Sequence, residues 1–80
     1  MNACPCCRHL TLGEADAFEV CPVCFWEDDG QSDADADDIR GGPNGVLSLA
    51  QARQNFRTLG ACHARFLTSV RLPHSTEIPD

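Results

Sequence analysis

Cysteines carry most of the chemistry that this sequence can do. Cys4 and Cys7 stand two residues apart in Cys-Pro-Cys-Cys, and Cys21 and Cys24 stand two apart in Cys-Pro-Val-Cys. Residues 8–20 separate the pairs. Two such pairs at this distance form the pattern of a four-thiolate zinc site. Zn²⁺ prefers tetrahedral coordination with sulfur at about 2.3 Å. A two-residue gap lets the chain turn once around the ion, with backbone N–H groups facing the sulfurs. Pro5 and Pro22 follow the first cysteine of each pair. Proline holds φ at about −65°, which presets each turn. Zinc on Cys4, Cys7, Cys21 and Cys24 is therefore the expected cofactor, with iron as the alternative.

A disulfide framework is the competing use of these thiols. The sequence opens Met-Asn-Ala-Cys-Pro and shows no apolar leader. A cytoplasmic, reducing setting is expected on that ground, and disulfides are rare there. Cys6 lies inside the first turn and is an alternative ligand to Cys7; Cys7 keeps the two-residue gap. Cys62 reads as a core residue. His9, His63 and His74 lack the spacing of a fourth ligand within a pair. Four cysteines fill a zinc shell, whereas catalytic zinc keeps an open position. No Ser-His-Asp order or phosphate-cradling loop accompanies them, so a non-enzymatic protein is expected.

The elements that must position the thiols are short. Leu10 and Leu12 alternate with His9 and Thr11, as in a strand. Gly13–Asp16 has turn character, and Ala17–Val20 reads as a returning strand. The resulting hairpin would bring the second cysteine pair back to the first. Phe25 and Trp26 follow as an apolar cover, with Trp26 a candidate ligand contact. Residues 27–38 contain seven acidic residues and read as a solvated loop. Asp33, Asp35 and Asp37 imitate the start of a calcium loop, but Asp38 stands at the loop-glycine position and Asn44 at the twelfth. Gly41–Gly45 is a turn-rich joint.

A helix follows. Ser48 is an N-cap with Gln51 completing a capping box. Leu49, Ala52, Phe56 and Leu59 share one face. Gly60 is placed to end the helix in the left-handed conformation. A second, shorter helix is predicted over residues 61–70, with Cys62, Phe66 and Val70 inward and Pro73 stopping it. The fold class is α+β: a small zinc-ribbon-like β-hairpin with two zinc knuckles, followed by two short C-terminal helices. Residues 1–73 form one domain, and 74–80 a loosely ordered tail.

The chain has 80 residues and a formal charge of −6. One small domain is all this length allows, and such domains usually need a staple. Acidic balance disfavours a nucleic-acid partner. No apolar run is long enough to span a membrane. Ten acids and no Arg or Lys lie between His9 and Ile39, while Arg40, Arg53, Arg57, Arg65 and Arg71 follow with no acid before Glu77. The two halves are expected to attract one another.

The chain resembles the cysteine-rich CPCC proteins, a family of small bacterial proteins. Cys4–Cys7, the run Val20–Asp29 and Gly41–Asn44 carry the likeness, with Ser48-Leu49, Asn55-Phe56, Gly60–Cys62 and Arg65–Leu67 adding to it. Family members usually carry Gly after the CPCC block, where this chain has Arg8. Glycine there eases the close of the turn. The resemblance implies a small, stand-alone metal-binding protein without a fixed biochemical role. Three functions remain in view: a structural zinc site supporting a protein–protein interaction module, a redox protein (rubredoxin-like iron carrier or thiol-based zinc-release switch), and a nucleic-acid-binding zinc ribbon. The first is favoured, with another protein as the partner.

Overall fold

The computed structural model describes residues 1–79. Strand β1 (Asn2–Ala3) pairs antiparallel with β2 (Leu10–Leu12). Asn2 faces Leu12 and Ala3 faces Leu10, with an irregularity in register between them. One helix, α1 (Leu49–Leu59), follows a long irregular stretch. Single 3₁₀ turns at Asp33–Asp35, Gly42–Asn44, Ala64–Phe66 and Ser75–Glu77 complete the chain.

The strand at Leu10–Leu12 forms as expected, but its partner differs. It pairs back across the first cysteine turn, not forward with residues 17–20. Val20 instead makes an isolated antiparallel bridge to Glu27 across the second turn. Backbone conformation explains the change. Asp16 and Phe18 sit at φ 58° and 59°, in the left-handed region, so the chain cannot run extended there.

α1 starts and stops where local chemistry dictates. Ser48 Oγ accepts the Gln51 N–H at 3.1 Å. The other half of the expected capping box is not made, because Gln51 Nε2 turns forward to Asn55 Oδ1 at 2.9 Å. Gly60 closes the helix at φ 85°, donating its N–H to the Phe56 carbonyl. Leu49 and Ala52 are buried and Phe56 is half-buried. Leu59, expected on the same face, is 45% exposed because the helix ends there and leaves the core.

The second predicted helix is a single turn, Ala64–Phe66. Two interactions hold the preceding bend in place. The Cys62 N–H donates to the Cys24 carbonyl at 2.7 Å, and Asn55 Nδ2 donates to the Cys62 carbonyl at 2.8 Å. His63 Nδ1 then caps the turn by accepting the Arg65 N–H. In the segment read as a tail, Glu77 is buried and its carboxylate takes a bidentate hand from Arg71, at 2.8 and 2.9 Å.

Residues 27–38 are not a solvated loop throughout. Asp28, Gln31 and Ala36 are buried. The Asp28 carboxylate accepts the N–H groups of Asp16 and Gly30, and Gln31 Nε2 bridges the carbonyls of Asp35 and Asp38. These side chains replace the ladder that a regular element would provide. Asp33 and Asp35, two of the calcium-like positions, are taken by Arg53 and Arg8 and by Arg40. The core runs through the cysteines, Leu12, Val23, Trp26, Leu49 and Ala52. Among the described residues, no helix is long and apolar enough to cross a membrane.

Candidate metal centre

Both Cys-Pro-x-Cys turns are built to one plan. In the first, the Cys4 N–H donates to the His9 carbonyl at 2.8 Å, and the Arg8 N–H to the Cys4 carbonyl at 2.8 Å. In the second, the Cys21 N–H donates to the Trp26 carbonyl at 2.9 Å, and the Phe25 N–H to the Cys21 carbonyl at 2.7 Å. The residue after each second cysteine is left-handed, Arg8 at φ 72° and Phe25 at φ 71°. That conformation is what closes the turn, and it is where glycine eases closure.

The turns face each other and bring four sulfurs together. Those of Cys4, Cys7, Cys21 and Cys24 lie within 4.8 Å of one another, and all four residues are buried. Cys4 Sγ is 3.6 Å from Cys24 Sγ, and Cys7 Sγ is 3.7 Å from Cys21 Sγ. A tetrahedron with bonds of about 2.3 Å has edges of about 3.8 Å. The cluster therefore has the dimensions of a tetrahedral thiolate site. Cys6 is buried but stands outside the four.

Two donors point at the sulfurs. Thr11 Oγ1 donates to Cys21 Sγ at 3.0 Å, and the Trp26 N–H faces Cys24 Sγ at 3.4 Å. Crowding splits the thiols' acidities. Hydrogen bonds from Cys24, Cys4 and Cys7 hold Cys21 well below the ordinary thiol range. The Cys21 thiolate in turn is the main cause that holds Cys4, Cys7 and Cys24 well above it. Four sulfurs this close cannot all ionise without a cation among them. The donor set contains only sulfur, which suits a soft or borderline cation. The four cysteines are thus positioned to bind a metal ion.

Cys62 is kept out of thiol chemistry. Burial, followed by the neighbouring Cys6, pushes the Cys62 thiol up to about 12, so it stays protonated. Its structural part is played by its backbone, which ties the end of α1 to the second turn. Trp26 is fully buried in the core cluster that it shares with the cysteines. Among the described residues, no histidine joins the cluster.

Several positioning residues carry no sequence signal of their own. Asn44 is one: its Oδ1 accepts the Glu27 N–H at 3.2 Å and its Nδ2 donates to the Glu27 carbonyl at 2.8 Å. A carboxamide thus completes the ladder beside the second turn. Only the turn-rich Gly-Gly-Pro-Asn-Gly run around it hints that it has a fixed place.

Residues 2–77 match the family model described as Cysteine-rich CPCC. The chain belongs to the cysteine-rich CPCC family. The match spans nearly the whole CPCC chain, from β1 to the last turn. Comparison with curated proteins and with solved structures found no match.

Proposed function

We propose that this CPCC protein is a non-enzymatic zinc-binding module of zinc-ribbon-like build, whose four-cysteine site supports interaction with another protein. The observation that carries the reading is the closed, buried, all-sulfur tetrahedron of Cys4, Cys7, Cys21 and Cys24. A structural site fills its shell with protein ligands and leaves no position for substrate. Zinc bound there cross-links the two turns. That link supplies cohesion which so short a chain lacks, since apparent zinc binding energies in small domains reach about 10–16 kcal/mol. The arginines favour the same reading over nucleic-acid binding. Arg8, Arg40, Arg53 and Arg71 are engaged by Asp33, Asp35 and Glu77. Among the described residues only Arg57 and Arg65 lack a carboxylate partner.

Metal analysis of untagged protein tests the proposal. It should be colourless, carry one zinc per chain, and unfold when a strong chelator strips it. A red protein with thiolate-to-iron absorption would replace the proposal with electron transfer. Native folding after complete metal removal would end the structural role.

A further inference from the structure

Residues 71–77 connect two parts of the candidate metal centre that lie apart in sequence. At one end, the Arg71 N–H donates to the carbonyl of Pro22, inside the second cysteine turn, at 3.1 Å. At the other end, the Ser75–Glu77 turn packs against β2. Both anchors lead to one sulfur. Pro22 is the chain neighbour of Cys21, and β2 carries Thr11, whose hydroxyl donates to Cys21 Sγ at 3.0 Å. Cys21 itself is fully buried.

The segment is held in a way that lets it open. No apolar side chain of residues 71–79 is buried; Leu72 is 86% exposed and Ile78 54%. Among the described residues, the bond from Arg71 to Pro22 is the single hydrogen bond that joins the segment to the rest of the chain. Its shape depends on a latch of its own. The Arg71 guanidinium holds both oxygens of Glu77, at 2.8 and 2.9 Å, and the His74 N–H donates to Glu77 Oε1 at 2.8 Å. Glu77 is the one buried residue of the segment. An ion pair, and not apolar packing, therefore sets the turn on β2. Segments with few buried apolar contacts open locally, at a cost well below that of global unfolding.

We propose that residues 71–77 form a strap that gates ligand exchange at Cys21. Latched by Arg71 and Glu77, the strap brackets Cys21 between Pro22 and β2. Unlatched, it lets a small donor from outside, such as a free thiolate or a chelator, reach that sulfur's side of the site. The step is a substitution without oxidation, in which the incoming donor takes the place of Cys21. The inference rests on the reading of the four cysteines as a metal site, and it holds for zinc or iron alike.

Zinc transfer from the loaded protein to a small chelator, at neutral pH and fixed chelator concentration, tests it alongside amide hydrogen exchange. Glu77→Gln takes the charge out of the latch and should speed transfer about tenfold, as expected from losing a charge-assisted pair. The amides of Arg71 and Glu77 should lose protection by the same factor, while that of Phe25 in the second cysteine turn keeps its own. Arg71→Lys keeps the charge but loses the two-pronged contact, and should show a smaller rise. Ser48→Ala gives up a helix cap of similar worth with the strap intact, and should leave transfer close to the parent rate. Parent-like transfer in Glu77→Gln, with the Arg71 and Glu77 amides deprotected, overturns the proposal. So does equal acceleration by Ser48→Ala, which would assign transfer to global unfolding. A parent protein that holds no metal ends the reading of the site itself, and the strap's role with it.

Discussion

Arg53 Nε donates to the carbonyl of Pro5 at 2.8 Å, tying the middle of α1 to the first cysteine turn. The same guanidinium reaches Asp33 at 2.6 Å. The two contacts differ in weight. Asp33 is largely exposed, so water screens the pair and its contribution is small. The bond to Pro5 is made by a mostly buried side chain to a backbone carbonyl with no other partner in the turn. Arg53→Ala should therefore lower stability by about 2 kcal/mol, and Asp33→Asn by much less. Arg53→Lys keeps the charge but loses the planar fork, and should fall between them. Chemical denaturation of the metal-loaded protein measures all three. Equal losses for Arg53→Ala and Asp33→Asn would make the ion pair, and not the Pro5 bond, the stabilising contact.

Arg8 and Phe25 occupy equivalent left-handed positions, but their side chains do different things. Arg8 is exposed and its pairing with Asp33 is long, at 3.5 Å. Phe25 stacks on Phe66 with ring centroids 4.9 Å apart. Arg8→Gly relieves backbone strain at little cost and should stabilise by about 1 kcal/mol. Phe25→Gly relieves the same strain but forfeits buried aromatic area, and should destabilise by about 1–3 kcal/mol. Thermal melts of the two variants decide it. Opposite signs are required; a shared sign would mean that backbone strain is not the term that differs from packing here.

How far the sequence reaches depends on how local each determinant is. The thiol quartet is legible because its geometry is written in two-residue gaps and two prolines. α1 is legible for the same reason, since Ser48 and Gly60 act within one turn of the helix they bound. The second helix misleads because its apolar spacing is sound while its start is taken by distant partners, Cys24 and Asn55. The strand pairing misleads because β1 is two residues long and shows no periodicity. Asp28 and Asn44 look like loop polars, and only folding shows that they satisfy backbone groups many residues away.

Glu77 makes the last turn sensitive to acid. The Arg71 guanidinium first, then the His74 N–H, lower its pKa to about 2 from an ordinary 4.5. A carboxylate with a depressed folded pKa contributes stability above its unfolded value, and that stability is lost as pH falls toward the folded one. The contact should therefore be intact above about pH 5 and fade down to about pH 2. Amide signals of residues 74–79 in the metal-loaded protein report it. Glu77→Gln should uncouple these residues at neutral pH and remove their acid transition. Metal release at low pH is a separate event, because it moves the signals of the cysteine turns. An unchanged acid transition in Glu77→Gln would assign it to some other group.

Thr11 offers the sharpest test of how the surroundings tune the thiols. Its hydroxyl donates to Cys21 Sγ at 3.0 Å and helps hold that sulfur ionised. Partners of metal ligands typically change metal affinity 10–100-fold when removed. Thr11→Val keeps shape and volume close to the original but deletes the donor. Metal affinity, measured by competition with a chelator of known strength, should fall about tenfold. Thr11→Ser keeps the hydroxyl and should stay within about twofold of the parent, which separates the hydrogen bond from packing at β2. Exchange should quicken in Thr11→Val for the same reason, because a less stabilised thiolate is protonated more readily and leaves the ion sooner. If valine binds metal as tightly as threonine, Cys21 owes its ionisation to the cation and its fellow sulfurs alone.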